Sequence, residues 1–172
     1  MNVKFLNPFV DAAYEVLCTE TGKEVTRGEL HLDNGVYKTD DITVIISLVG
    51  AVEGTVFFSM SNQAGVGLAS VLLGDTLTEL DYLAQSGIAE LGNVITGRAS
   101  MKLSNSGYEC NISTPSLILG RGATISTLDY LRLVVPLKTV AGDLIIHLAL
   151  REGKSNGLKA PQMPIPKAMP GI

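Results

Sequence analysis

Ile42-Thr43-Val44-Ile45-Ile46-Ser47-Leu48-Val49-Gly50-Ala51-Val52-Glu53-Gly54-Thr55-Val56-Phe57-Phe58-Ser59-Met60 is the stretch whose reading decides the fold. The runs Ile42–Val49 and Gly54–Met60 are rich in β-branched residues, and the short Gly50-Ala51-Val52-Glu53 segment joins them. Such a pair predicts an antiparallel hairpin. A second stretch reads alike: Val134-Val135-Pro136-Leu137-Lys138-Thr139-Val140-Ala141-Gly142-Asp143-Leu144-Ile145-Ile146. It predicts another hairpin, Tyr130–Leu137 with Asp143–Leu150, turning across Thr139–Gly142.

Working outward, helical signals precede each hairpin. Asn7 suits an N-cap and Pro8 a first helical turn, with Phe9, Ala12, Ala13 and Val16 at helical spacing up to about Cys18. A weak strand is expected over Glu29–Leu32, followed by turn chemistry at Asp33-Asn34-Gly35. Ser61 or Asn62 should cap a helix ending at Gly74. A longer helix should run from about Thr78 to Leu103, followed by a strand near Tyr108–Thr114 and a loop at Gly120-Arg121-Gly122. The fold class is therefore α+β (mixed α/β). A helix-plus-hairpin unit is used twice about a pseudo-twofold axis, giving a mostly antiparallel sheet with helices on one face. Two hairpins of one sheet could also look alike by chance. A doubly wound nucleotide fold is excluded.

Residues 1–151 read as one domain of a 172-residue chain, with 46% apolar and 17% charged residues to divide between core and surface. From 152 the composition changes: Gly153-Lys154-Ser155-Asn156-Gly157 reads as a linker, followed by Pro161, Pro164, Pro166 and Pro170. Such a stretch buries too little to offset its ordering entropy, so 152–172 is expected to be a flexible Pro-rich tail, or else a segment that docks on a partner. A formal net charge of −4 with no basic cluster argues against nucleic acid and anionic lipid. The most apolar segment, Ile42 to Val52, is too short to cross a bilayer, and the first residues lack a signal-peptide pattern. Cys18 and Cys110 have the spacing of neither a disulfide framework nor a zinc site. They read as reduced thiols of a cytoplasmic protein, a single bridge being the alternative.

The chemistry-bearing signal is on the long helix. Ser86, Glu90, Asn93 and Gly97 stand at i, i+4, i+7 and i+11, within a stripe of about 60°. Leu80, Ile88, Leu91 and Ile95 fall on the opposite side, where the core must lie. Read alone, the stripe could be an ordinary solvated helix face. Two features argue otherwise. Asn is a mediocre helix residue, because its side chain competes for backbone hydrogen bonds. Gly87, Gly92 and Gly97 each cost roughly 1 kcal/mol against Ala. That loss has to serve either close core packing or close approach from outside.

The pattern Ser86-x-x-x-Glu90-x-x-Asn93-x-x-x-Gly97, with the Asn7-Pro8-Phe9 helix, the Gly-turn hairpin and the Ser61–Gly74 helix ahead of it, resembles the CheC/CheX/FliY chemotaxis phosphatase family over about residues 1–150. CheC-type members carry two Glu-x-x-Asn helices. Here the first helix has Glu15 but Cys18 in place of the Asn, leaving one site, as in the CheX type. The resemblance implies a cytoplasmic protein-aspartate phosphatase for a phosphorylated CheY-like response regulator in chemotaxis or another two-component pathway. The implied catalytic pair is Glu90 and Asn93, with Ser86 and Gly97 contacting the partner. It also implies a homodimer with no cofactor of its own, the Mg²⁺ being supplied by the bound receiver. The rival expectation is a non-catalytic receiver-binding or flagellar-switch-type module. Other signals are weaker. Gly65-Val66-Gly67 and Gly120-Arg121-Gly122 lack phosphate-loop spacing, and His31 and His147 have no matching ligands, so no metal site is expected.

Overall fold

The computed structural model describes residues 3–34, 36–127 and 130–153. A 3₁₀ turn, Val3–Phe5, leads into α1, Leu6–Thr21. The helix thus begins one residue before Asn7, which is not its cap, and no side chain caps it. Phe5 instead anchors the entry, fully buried with its ring edge-on to Tyr108 at 5.3 Å. The far end runs three residues past Cys18. There the Thr19 and Thr21 hydroxyls donate back to the Glu15 and Leu17 carbonyls, and Gly22 closes the helix in the left-handed conformation.

The next strands are β1, Thr26–Arg27; β2, His31–Asp33; β3, Tyr37–Lys38; β4, Ile42–Gly50; and β5, Val52–Met60. The strand expected over Glu29–Leu32 therefore lies two residues later, and Gly35 of the expected turn falls outside the described residues. Helix α2, Asn62–Leu73, is capped by the Ser61 hydroxyl, which accepts from the Ala64 amide, and it ends at Gly74. Helix α3, Tyr82–Asn105, starts four residues later than the periodicity suggested, because the Asp81 carboxylate accepts from the Ala84 amide and fixes the first turn there. The remaining strands are β6, Cys110–Ile112; β7, Ser116–Leu119; β8, Thr124–Ile125; β9, Arg132–Thr139; and β10, Gly142–Glu152. The strand expected near Tyr108–Thr114 is β6, and β7 follows it as a further strand. Strand β10 reaches past the expected domain end at 151, and the tail from 154 lies outside the described residues.

All pairings are antiparallel, in the order β1-β9-β10-β5-β4-β6, with β2 also on β9 and β7 also on β4; β3 and β8 pair separately. This order contains the twofold repeat. Each half runs helix, two short strands, one tiny strand, hairpin: α1 to β5, then α3 to β10, with α2 as the link. The short strands of each half pair with the first hairpin strand of the other, and the second hairpin strands, β5 and β10, pair along the pseudo-axis.

The expected Gly50–Glu53 turn is more committed than a turn. The β4–β5 ladder ends at Leu48–Gly54, yet Val49 and Gly50 pair with Asn111 and Cys110, while Val52 and Glu53 pair with Glu152 and Arg151. Gly54 is obligatory there. Its φ is 139°, and a Cβ would stand 2.0 Å from the Ala149 carbonyl oxygen.

One parity of the sheet, Ile42, Val44, Ile46, Val56, Phe58, Leu144, Ile146 and Leu148, is buried in the main core with residues of all three helices. Filling this layer is the main stabilising contribution, roughly 1.5–3 kcal/mol for each large side chain removed from water. The opposite parity is covered in part by β3 and β8. There Tyr37 stacks on Phe57 with centroids 4.9 Å apart, beside Ala149, and Ile125 and Tyr130 pack around them.

Candidate functional site

Helix α3 buries Ala84, Ile88, Leu91, Gly92, Ile95, Thr96, Ala99 and Leu103 against α1, α2 and the sheet. Gly92 sets how closely it lies: a Cβ there would be 3.2 Å from both Phe58 and Val44. The opposite face carries the expected stripe. Ser86 and Glu90 are exposed, and Asn93 and Gly97 are half-buried. Asn93 Nδ2 donates to Glu90 Oε2 at 3.3 Å. The stripe therefore brings together all four residues singled out by spacing, with a carboxylate and a carboxamide adjacent at its centre.

The three glycines of α3 divide into two kinds. Gly92 is packed. Gly87 and Gly97 are not: an added Cβ would meet nothing closer than Leu73 Cγ at 4.0 Å and Ile112 Cδ1 at 3.9 Å respectively. Their missing side chains leave space on the outer surface, on either side of Glu90 and Asn93.

The corresponding feature of α1 is closed. Glu15 accepts from Lys102 Nζ at 2.6 Å and has Arg98 at 3.9 Å, so its carboxylate is tied to α3, and Cys18 is half-buried against the core. Among the described residues, then, one Glu/Asn pair faces outward.

Sequence reasoning missed a groove of about 230 Å³ where the three helices meet, walled by Val16, Leu72, Leu73, Gly87 and Val94, with Glu90 on its edge. The signal that could have found it was Gly87, an unexplained helix glycine one turn before Glu90. A polar cluster on the opposite sheet face was also missed. There His147 Nε2 lies 3.1 Å from Ser59 Oγ, the Tyr37 hydroxyl bonds Thr43 at 2.9 Å, and buried Arg132 pairs with Asp33. Burial, and then Arg132, push the His147 pKa down to about 3. This cluster is on the far side of the sheet from α3.

The glycine pairs set aside as phosphate loops have other work. Gly65 sits in α2, where a Cβ would be 2.2 Å from Ile42 Cδ1. The 120–122 loop brings Arg121 onto Asp41, at 2.5 and 3.1 Å, and Asp41 also accepts from the Asn62 amide. The Asn62 amide and then Arg121 hold the Asp41 carboxyl below the usual carboxylate range. Asp41 thus ties the start of β4 to α2.

Magnesium prefers six oxygen ligands in octahedral geometry. One carboxylate and one carboxamide do not build such a site alone, and no group of three His, Cys, Asp or Glu side chains suited to a metal occurs among the described residues. No described helix is long and apolar enough to cross a membrane.

Comparison with known proteins gives the chain relatives. The family described as chemotaxis phosphatase CheX matches residues 42–138. The CheY-P phosphatase CheX of Thermotoga maritima is 26% identical over 155 residues, covering 89% of this chain and 99% of that protein. A CheC-like superfamily protein from Shewanella sp. PV-4 superposes with a TM-score of 0.78 at 28% identity, covering 88% of this chain and 99% of its own. The chain is also similar, at TM-score 0.74 and 28% identity over 88% of this chain and 100% of that one, to a chain from the CheX-CheY-BeF3-Mg+2 complex of Borrelia burgdorferi.

Proposed function

The chain belongs to the chemotaxis phosphatase CheX family, and on that footing we propose that it hydrolyses the phosphoaspartate of a CheY-like receiver through Glu90 and Asn93. The observation that carries the assignment is the outward Glu90–Asn93 pair on α3, joined at 3.3 Å and bordered by two helix glycines at which a Cβ would meet no clash.

The reaction asks little covalent chemistry of this chain. Water attacks phosphorus, the bond from phosphorus to the aspartate oxygen breaks, and the products are the free carboxylate and inorganic phosphate. Magnesium, which comes with the receiver, neutralises charge on the phosphoryl oxygens. What this chain adds is position. A carboxylate can only accept, so Asn93 turns its amino group to Glu90 and keeps its carbonyl oxygen to accept a hydrogen bond from the attacking water. Glu90 presents its charge to the receiver's Lys and fixes the Asn93 amide. Ser86 and Gly97 border the contact, Gly97 admitting partner backbone.

We also read the chain as a cytoplasmic homodimer. The edge strands of the sheet expose apolar residues on both sides: Leu32 on β2 and Leu119 on β7. The phosphatase assignment is tested by mixing the chain with a phosphorylated receiver in Mg²⁺ and following phosphate release. Acceleration over the receiver's own decay is expected. Tight binding with no acceleration would replace the phosphatase by a receiver-binding module.

A further inference from the structure

Gly87 is the odd residue of α3. It lies in a helix interior, where Gly is the least favoured residue after Pro. A Cβ there would make only an ordinary contact with Leu73 Cγ at 4.0 Å, so packing within the chain does not require glycine. It forms the bare floor of the groove between α2 and α3, opposite Leu73, which is 37% exposed. The groove walls are apolar: Val16 from α1, Leu72 and Leu73 from α2, Val94 from α3. Its edge is acidic, Glu20 from α1 on one side and Glu90 on the other.

Glu90 thus belongs to two surfaces, the stripe it shares with Asn93 and the edge of the groove. Any protein that presents a phosphoaspartate to Asn93 lays adjoining surface over this opening. Resting on the phosphatase reading above, we infer that the groove is a specificity pocket. It takes one apolar side chain from a receiver loop that borders the phosphoaspartate, and it selects among receivers by what that side chain is. The two carboxylates at the edge select a receiver whose inserted residue has a basic neighbour, and they reject an acidic one, since like charges meeting in a desolvated contact are costly. Gly87 keeps the floor open, so the length of the inserted side chain is matched by the space its own missing side chain leaves.

The experiment compares steady-state phosphate release from a phosphorylated receiver by wild type, Gly87→Leu and Leu73→Asp, with Asn93→Ala as the control for lost chemistry. Gly87→Leu fills the groove with a better helix former, and Leu73→Asp places a charge on the opposite wall, so one variant reports if the other misfolds. Circular dichroism melts show which are folded. The expected result is a KM raised about tenfold or more in both variants with kcat within about twofold. Asn93→Ala should lose kcat instead. An active wild type whose folded Gly87→Leu and Leu73→Asp variants keep its KM overturns the pocket and leaves the phosphatase assignment standing. A wild type that releases no phosphate from any cognate receiver overturns both.

Discussion

The amide nitrogen of Asn93 sits 3.3 Å from a carboxylate oxygen of Glu90, one turn earlier on α3. Each residue is thereby oriented by the other before any partner arrives. A carboxamide free to rotate offers a water its donor end as often as its acceptor end. One held against a carboxylate offers the acceptor. The pair is thus partly preorganised, and its two members should fail differently.

Asn93→Ala removes the proposed acceptor for the water and leaves the charge of Glu90 in place. Phosphate release should fall about a hundredfold or more at saturating protein, while affinity for a beryllofluoride-loaded receiver stays within about threefold. Glu90→Ala removes the charge and also frees the Asn93 amide, so rate and affinity should both fall. Both positions face solvent in part, and each change should shift stability by less than about 0.5 kcal/mol. A folded Asn93→Ala protein with full activity would falsify the water-positioning role.

The helix glycines should separate by where their Cβ atoms would go. Gly92→Ala gains about 1 kcal/mol of helix propensity but drives a methyl to 3.2 Å from Phe58 and Val44. Overpacking of that kind costs about 1–3 kcal/mol, so urea denaturation should show a net loss. Gly97→Ala meets only Ile112 at 3.9 Å and should gain up to about 1 kcal/mol. Its cost should appear in receiver binding, where the new methyl meets the partner. Equal stability changes in the two variants would show that α3 is not held to the sheet at Gly92.

The paired hairpins and the stripe Ser86, Glu90, Asn93, Gly97 were legible because both depend on periodicity within one element. What could not be read was how elements meet. The sequence 50–53 looks like a turn, and its strand character appears only because Cys110, Arg151 and Glu152 arrive beside it. Asn7 was expected to cap the first helix because an Asn-Pro pair is a strong local signal. Burial of Phe5 outweighed it. The groove beside Glu90 takes walls from three helices far apart in sequence, and only Gly87 marked it. His147 read as one residue of an apolar strand because its hydroxyl partner, Ser59, stands on a different strand.

The dimer should form through the sheet edges. Leu119, on the short edge strand β7, is 49% exposed, and such an edge invites pairing with another chain. Sedimentation equilibrium should give a dimer at micromolar concentration, weakened by Leu119→Lys. A monomer under those conditions removes the dimer without touching the site.

His147 should make stability depend on pH well above the carboxylate range. The ring is 8% exposed, 3.1 Å from Ser59 Oγ and 4.8 Å from the Tyr37 ring. Burial is the larger cause of its low pKa of about 3, Arg132 adds to it, and Asp33 opposes it. In the unfolded chain the ordinary value near 6.5 applies. Above that pH the ring is neutral in both states and contributes no pH dependence. As pH falls from 6.5 towards 3 the unfolded chain binds a proton that the folded chain refuses. Stability is therefore lost, at up to about 1.4 kcal/mol per pH unit. Carboxylates held low in the folded state, such as Asp41, join only below about pH 4, which leaves pH 5–6.5 to the histidine. Urea denaturation at pH 7.5, 6.0 and 5.0 should show the decline in the wild type and a flatter profile in His147→Gln. Parallel profiles for the two proteins would mean that the buried ring takes its proton without unfolding the chain.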